Sequence, residues 1–137
     1  MGCRKGAYRT GVPLEPGLAA EIELVVEDAD TAQELRTGDV PVLATPRLVA
    51  LVEEASVKAV EGRLEDGFTT VGQQVQLDHL APSGVGDTVL ASATLEHAKG
   101  RRLTFTVSVN DKRGLVAVGR VTRILVDRER FLEKVYD

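Results

Sequence analysis

Few side chains in this sequence could carry chemistry. Residues 41–60 read PVLATPRLVALVEEASVKAV, and two carboxylates, Glu53 and Glu54, stand side by side in that otherwise apolar stretch. A carboxylate in a cleft can act as a nucleophile or as a general base. There are two histidines, His79 and His97, and an imidazole suits proton relay near neutral pH. The single cysteine, Cys3, closes no internal disulfide. With only two histidines beside it, no metal site is expected. No G-x-S-x-G elbow is present, and the glycines of SGVGD, 83–87, precede no Lys-Ser or Lys-Thr. A serine-hydrolase nucleophile and a phosphate loop are therefore disfavoured.

The carboxylates sit in a helical pattern. Thr45 suits an N-cap and Pro46 the first helical position. Leu48, Leu51, Val52, Ala55 and Ala59 gather on one face at 3.6-residue periodicity, and Gly62 can end the helix. With Thr45 at the origin, Glu54 falls about 180° away and faces water, whereas Glu53 falls at about 80°, on the border of the apolar stripe. Two readings of Glu53 stay open. It is a boundary carboxylate with its head in water, or it points into a cleft as a base or nucleophile. Thr45 and Glu53 are eight residues apart, about 12 Å of helical rise. They cannot touch within one helix, so joint action on one atom needs a bridging group or two subunits. His79 ends the run Val71, Gln73, Val75, Leu77, His79, one face of a strand by period two. Its plain role is a strand-end histidine bonded to a loop. His97 precedes a hairpin and reads as exposed.

The elements around these residues follow from alternation and turn signals. Strands are expected over 18–28, 68–80, 88–98, 102–111 and 115–127, with a loop or short helix over 29–41 and a short charged helix after 127. The strands after the helix are joined by short links, which force antiparallel neighbours. A sheet with one long helix buries that helix against its concave face. The expected fold class is α+β: a single hot dog domain, a five-stranded antiparallel sheet wrapped around one central helix. A lone domain of this kind leaves a sheet edge open, so a homodimer is expected.

The 137 residues form one domain by length, with 43% hydrophobic residues for a core. The assignment is a flexible N-terminal segment over 1–17 and the packed domain over 18–137. A net charge of −4 argues against a nucleic-acid partner. No apolar run is long enough to span a membrane. The opening MGCRKG has no signal-peptide core, and Gly6 stands where myristoylation needs Ser or Thr. A cytoplasmic protein is the resulting expectation.

VLATPRLVALVEEAS, TTVGQQVQLDHLAPSGVGDTV and GRRLTFTVSVND together resemble the hot dog thioesterases related to fluoroacetyl-CoA thioesterase, over roughly residues 20–128. The most specific signs are Ala-Thr ahead of the helix, Glu eight residues on, and a strand ending in His with Gly86 seven residues later. The resemblance implies an acyl-CoA substrate, no cofactor, and Thr45, Glu53 and His79 as catalytic residues. It also implies that the backbone N–H of Gly72 faces the acyl carbonyl. Lys99, Arg101 and Arg102 are candidate contacts for the phosphates of coenzyme A. The sequence departs from the relative at one place. The fluoroacetyl-specific enzyme carries phenylalanines ahead of its Ala-Thr, whereas ELRTGDVPVLAT, 34–45, holds no aromatic. The alternative function is a non-catalytic acyl-CoA binding or sensing domain. A hot dog hydratase is disfavoured, because LDHL does not match its Asp/His spacing.

Overall fold

The structure, a computed structural model, describes residues 14–136; Cys3 and most of the N-terminal segment lie outside them. Strand β1 (Ala19–Val25) leads through a 3₁₀ turn (Asp28–Asp30) and one turn of helix, α1 (Ala32–Leu35), into the long helix α2 (Thr45–Ala59). Strands β2 (Phe68–His79), β3 (Thr88–Lys99), β4 (Arg102–Asp111) and β5 (Gly114–Asp127) follow, and helix α3 (Arg128–Tyr136) closes the described chain. All five strands are antiparallel, in the order β1-β3-β4-β5-β2. Leu14 is already buried in the core, and the Gly17 N–H donates to the Leu95 carbonyl. Packing therefore begins ahead of β1. No helix of the described residues is long and apolar enough to cross a membrane.

The helix packs as its periodicity requires. Leu48, Leu51, Val52, Ala55 and Ala59 are all buried. They meet Val89, Ala91, Ala93 and Leu95 of β3 and Leu103, Phe105, Val107 and Val109 of β4, the alternate residues of each strand. Ala91 and Ala93 are small and fully buried, which lets the helix axis approach the sheet closely. The helix stops at Ala59, with Val60 as its C-cap, two residues before Gly62.

Two expectations about the strands need correction. The short link 80–87 does not make β2 and β3 neighbours. It runs along the end of the sheet, where the Leu80 and Ala81 N–H groups both donate to the Val116 carbonyl, and the Leu43 N–H donates to Ser83. β2 therefore lies at the sheet edge beside β5. The period-two face of β2 also breaks. Gly72 pairs with Arg123 and Gln74 with Thr122, so Gln73 is an extra residue, a β-bulge. Behind the bulge the inner face carries Thr70 and Gly72 rather than Val71 and Gln73. Ahead of it Val75, Leu77 and His79 keep the inner face, opposite Val121, Gly119 and Ala117.

Gly119 lies close against the backbone of β2. A β-carbon there would overlap the carbonyl oxygen of Gln76. Relief would require the two backbones to part, since no flexible side chain can yield. Gly119→Ala is expected to destabilise the fold by about 2–3 kcal/mol or more. Thermal unfolding measures it, and an unchanged midpoint would refute the tight approach.

Candidate active site

Helix α2 begins without a side-chain cap. Ala44 occupies the N-cap in extended conformation, and its carbonyl accepts from the Arg47 and Leu48 N–H groups. Thr45 is thus the first helical residue and Pro46 the second, one position later than expected. The entry is fixed from outside: the Ala44 N–H donates to the Asp30 carbonyl, and Arg47 pairs with the Asp30 carboxylate at 2.9 Å. Because Thr45 does not cap the helix, its hydroxyl is free for another partner. That partner is His79, with Oγ1 2.7 Å from Nδ1. Two of the residues that the resemblance implies, Thr45 and His79, are thus in contact. The other ring nitrogen, Nε2, is buried and has no hydrogen-bond partner among the described residues. A histidine bound at one nitrogen and open at the other is oriented for proton transfer at the open one.

Two turns along α2, Glu53 is half-buried and Glu54 exposed, as the helical wheel requires. The head of Glu53 does not simply face water. Its Oε2 accepts from Nη1 of Arg123 at 2.9 Å. Arg123 lies on the inner face of β5, with its side chain only 9% exposed. Its Nε donates to the Thr70 hydroxyl at 2.9 Å and its Nη2 to the Thr70 carbonyl at 3.0 Å. Burial pulls the guanidinium pKa below its ordinary value, and the charge of Glu53 opposes that shift. Arginine nonetheless stays protonated in proteins, so Glu53 faces a fixed positive charge held on two other bonds.

Gly72 completes this cluster. A β-carbon at Gly72 would overlap Oε2 of Glu53 and would lie 3.4 Å from Nη1 of Arg123. Only glycine leaves room for the carboxylate against the strand. The Gln73 bulge turns Gly72 to this face; in unbroken alternation it would point outward.

The chain therefore holds two separate clusters. Thr45 and His79 form one, and Glu53, Gly72 and Arg123 form the other. Within the chain the two do not meet. They are separated by about 12 Å of helix and, between Gly72 and His79, by about 20 Å of strand. Lys99 and Arg102 face each other across the β3–β4 hairpin, and Arg101 lies in its turn. All three are exposed and belong to neither cluster. His97 is exposed, as expected. Among the described residues no group of histidine, cysteine and acidic side chains could hold a metal.

Arg123 was not among the residues picked from the sequence. A signal was present: along β5 the inner-face alternation Ala117, Gly119, Val121, Arg123, Leu125 places an arginine where an apolar residue belongs. A cation there needs a buried partner. Ordinary strand reading tolerates one polar residue near a strand end, which hid it.

The fluoroacetyl-CoA-specific thioesterase family matches residues 26–129 of the chain. The fluoroacetyl-CoA thioesterase of Streptantibioticus cattleyicolor is 35% identical over 94 residues, 69% of this chain and 68% of that protein. A crystal structure of a phenylalanine-to-alanine mutant of the fluoroacetyl-CoA-specific thioesterase superposes with a TM-score of 0.83 at 30% identity, covering 90% of this chain and 96% of the other. A Thermus thermophilus thioesterase superfamily member gives 0.83 at 30% identity over 90% and 91%. A threonine-to-serine mutant of the fluoroacetyl-CoA thioesterase, in complex with acetyl-CoA, gives 0.84 at 29% identity over 90% and 97%. The family match, the sequence identity and the superpositions agree, and this chain belongs to the fluoroacetyl-CoA-specific thioesterase family of hot dog thioesterases.

Proposed function

We propose that this protein hydrolyses acyl-CoA thioesters at a site shared by two subunits of a homodimer. The single observation that carries the reading is the fit of the Glu53 carboxylate against Gly72, with Arg123 holding it. The Streptantibioticus cattleyicolor relative is a fluoroacetyl-CoA thioesterase, and one of the solved structures holds acetyl-CoA. A half-site of this kind offers a nucleophile or base next to a backbone with no side chain.

The division into half-sites suggests how the dimer forms. β2 is a 12-residue edge strand, and an open edge of that length invites pairing. Two β2 strands can pair antiparallel about a two-fold axis lying between Gly72 and His79. Such pairing sets His79 of one protomer opposite Gly72 of the partner subunit, both on inner faces. Thr45 and His79 then approach Glu53 of the partner subunit, and two composite sites arise.

In that site Glu53 attacks the thioester carbonyl carbon, or takes a proton from a water that does so. The Gly72 N–H donates to the oxygen on which negative charge develops. His79, held at Nδ1 by Thr45, delivers a proton from Nε2 to the leaving sulfur. The products are a carboxylic acid and free coenzyme A, and water supplies the atoms for both. Arg123 is a positioning group: its contact with Oε2 holds Glu53 turned toward the strand.

The direct test is release of free thiol from a panel of acyl-CoAs. Thiol release abolished by Glu53→Gln supports hydrolysis. Binding of acyl-CoA with no thiol released from any member would favour the non-catalytic reading.

Selectivity for fluorine is not expected. The segment 36–41 ahead of the helix is mostly turns and bends, with Val40 half exposed and no aromatic side chain. In a plain apolar pocket even a whole methylene is worth only about 1–3 kcal/mol. The ratio of kcat/KM for fluoroacetyl-CoA over acetyl-CoA is therefore expected to stay below about tenfold. A ratio above about 10³ would show that small aliphatic residues here do the work of an aromatic gate.

A further inference from the structure

We infer that the cavity between α3 and the β3–β4 hairpin is the subsite for the phosphorylated adenosine end of coenzyme A, an inference that rests on the acyl-CoA reading above. The cavity is about 520 Å³ and is lined by Arg101 of the hairpin, Asp127 at the end of β5, and Arg130, Phe131, Glu133 and Lys134 of α3. That volume suits a nucleotide-sized ligand.

The charges favour an anion. Arg130 and Lys134 are one turn apart on α3 and share a face. Arg101 reaches toward them from the hairpin, where its Nη1 donates to the Leu125 carbonyl at 3.4 Å. None of the three makes an ion pair with a described residue, whereas Arg47, Arg113, Arg120 and Arg123 all do. The two acids lower the local charge only in part, because Asp127 already accepts from the Arg130 backbone N–H at 3.2 Å. Three cations that make no ion pair with a described residue thus line one cavity. Guanidinium and ammonium groups are the side chains that bind phosphate. Phe131 is half-buried on the same wall and offers a ring on which a purine can stack.

The position also fits. Asp127 and Val126 pair with Phe68 and Thr69, and Arg123 with Gly72. The cavity thus begins four residues along β5 from the Glu53 half-site, about 13 Å away. In coenzyme A the phosphorylated adenosine and the reacting sulfur lie at opposite ends of the pantetheine arm, so the two sites must be apart. Of the cations first considered for this role, only Arg101 lines the cavity; Arg130 and Lys134 join it through α3.

The test is calorimetric titration of the full chain with adenosine 3′,5′-bisphosphate, which needs no turnover. The wild type is expected to bind it, and the variant carrying Arg101→Ser, Arg130→Ser and Lys134→Ser to bind at least about tenfold more weakly. The ratio of kcat/KM for an acyl-CoA over the matching acyl-pantetheine should fall by a similar factor. Lys134→Glu alone, on an exposed turn, gives the same direction if the triple variant does not fold. Unchanged affinity in these variants, or no binding by the wild type, overturns the subsite. Nucleotide binding that depends on these residues, with no thioester hydrolysed, would sink the thioesterase reading and leave the subsite standing.

Discussion

Glu53→Gln is expected to lower kcat by at least about 100-fold with little loss of stability, while Glu54→Gln stays near wild type. The amide keeps an oxygen that can accept from Nη1 of Arg123, so the 2.9 Å contact survives in neutral form. What is lost is the negative charge that attacks the carbonyl or takes the proton from water. Glu53→Ala is a less clean change. It leaves the Arg123 guanidinium, whose side chain is 9% exposed, without its anionic partner, which adds about 1–3 kcal/mol of destabilisation. Glu54 points to water and contacts neither Arg123 nor Gly72. Steady-state rates and melting curves on the three variants check this. Equal losses from changing Glu53 and Glu54 would refute the assignment.

Gly72→Ala should be nearly as damaging for a different reason. Its methyl group would occupy the place of Oε2 of Glu53. The backbone of β2 is held by its ladder to β5, so the side chain of Glu53 must yield. Moving it breaks the contact with Arg123 and shifts the reacting oxygen by about an ångström or more, a displacement that costs roughly 100-fold in rate. The added methyl also crowds the N–H read as the oxyanion donor. The expected result is a fall in kcat of at least about 100-fold, with about 1–3 kcal/mol of stability lost because Glu53 and Arg123 part. A fully active Gly72→Ala enzyme would mean that Glu53 works from another rotamer.

Most of the fold was legible because it rests on local rules. The apolar stripe of α2 and the alternation of β3 and β4 are strong periodic signals, and every residue they place inward is buried. The order of strands was less legible. A link of eight residues is compatible with a hairpin or with a run along the sheet end, and only the bonds of Leu80 and Ala81 to Val116 decide it. The bulge at Gln73 was invisible in the same way. It hides inside a regular apolar-polar run, yet it determines which side of β2 Gly72 presents. At the site, the helical wheel separated Glu53 from Glu54 correctly but could not tell what Glu53 would meet. That partner, Arg123, is 70 residues away and comes into reach only when β2 and β5 pair.

The central claim is that each site takes Thr45 and His79 from one subunit and Glu53 and Gly72 from the other. Mixing two inactive variants tests it most directly. His79→Ala and Glu53→Gln proteins, unfolded together in equal amounts and refolded, should assort at random. Half of the dimers would then be mixed, and each mixed dimer would carry one intact site and one doubly impaired site. Thiol release should return to about a quarter of the wild-type rate. No recovery, with mixed dimers shown to be present, would contradict the account and place the whole site within one chain.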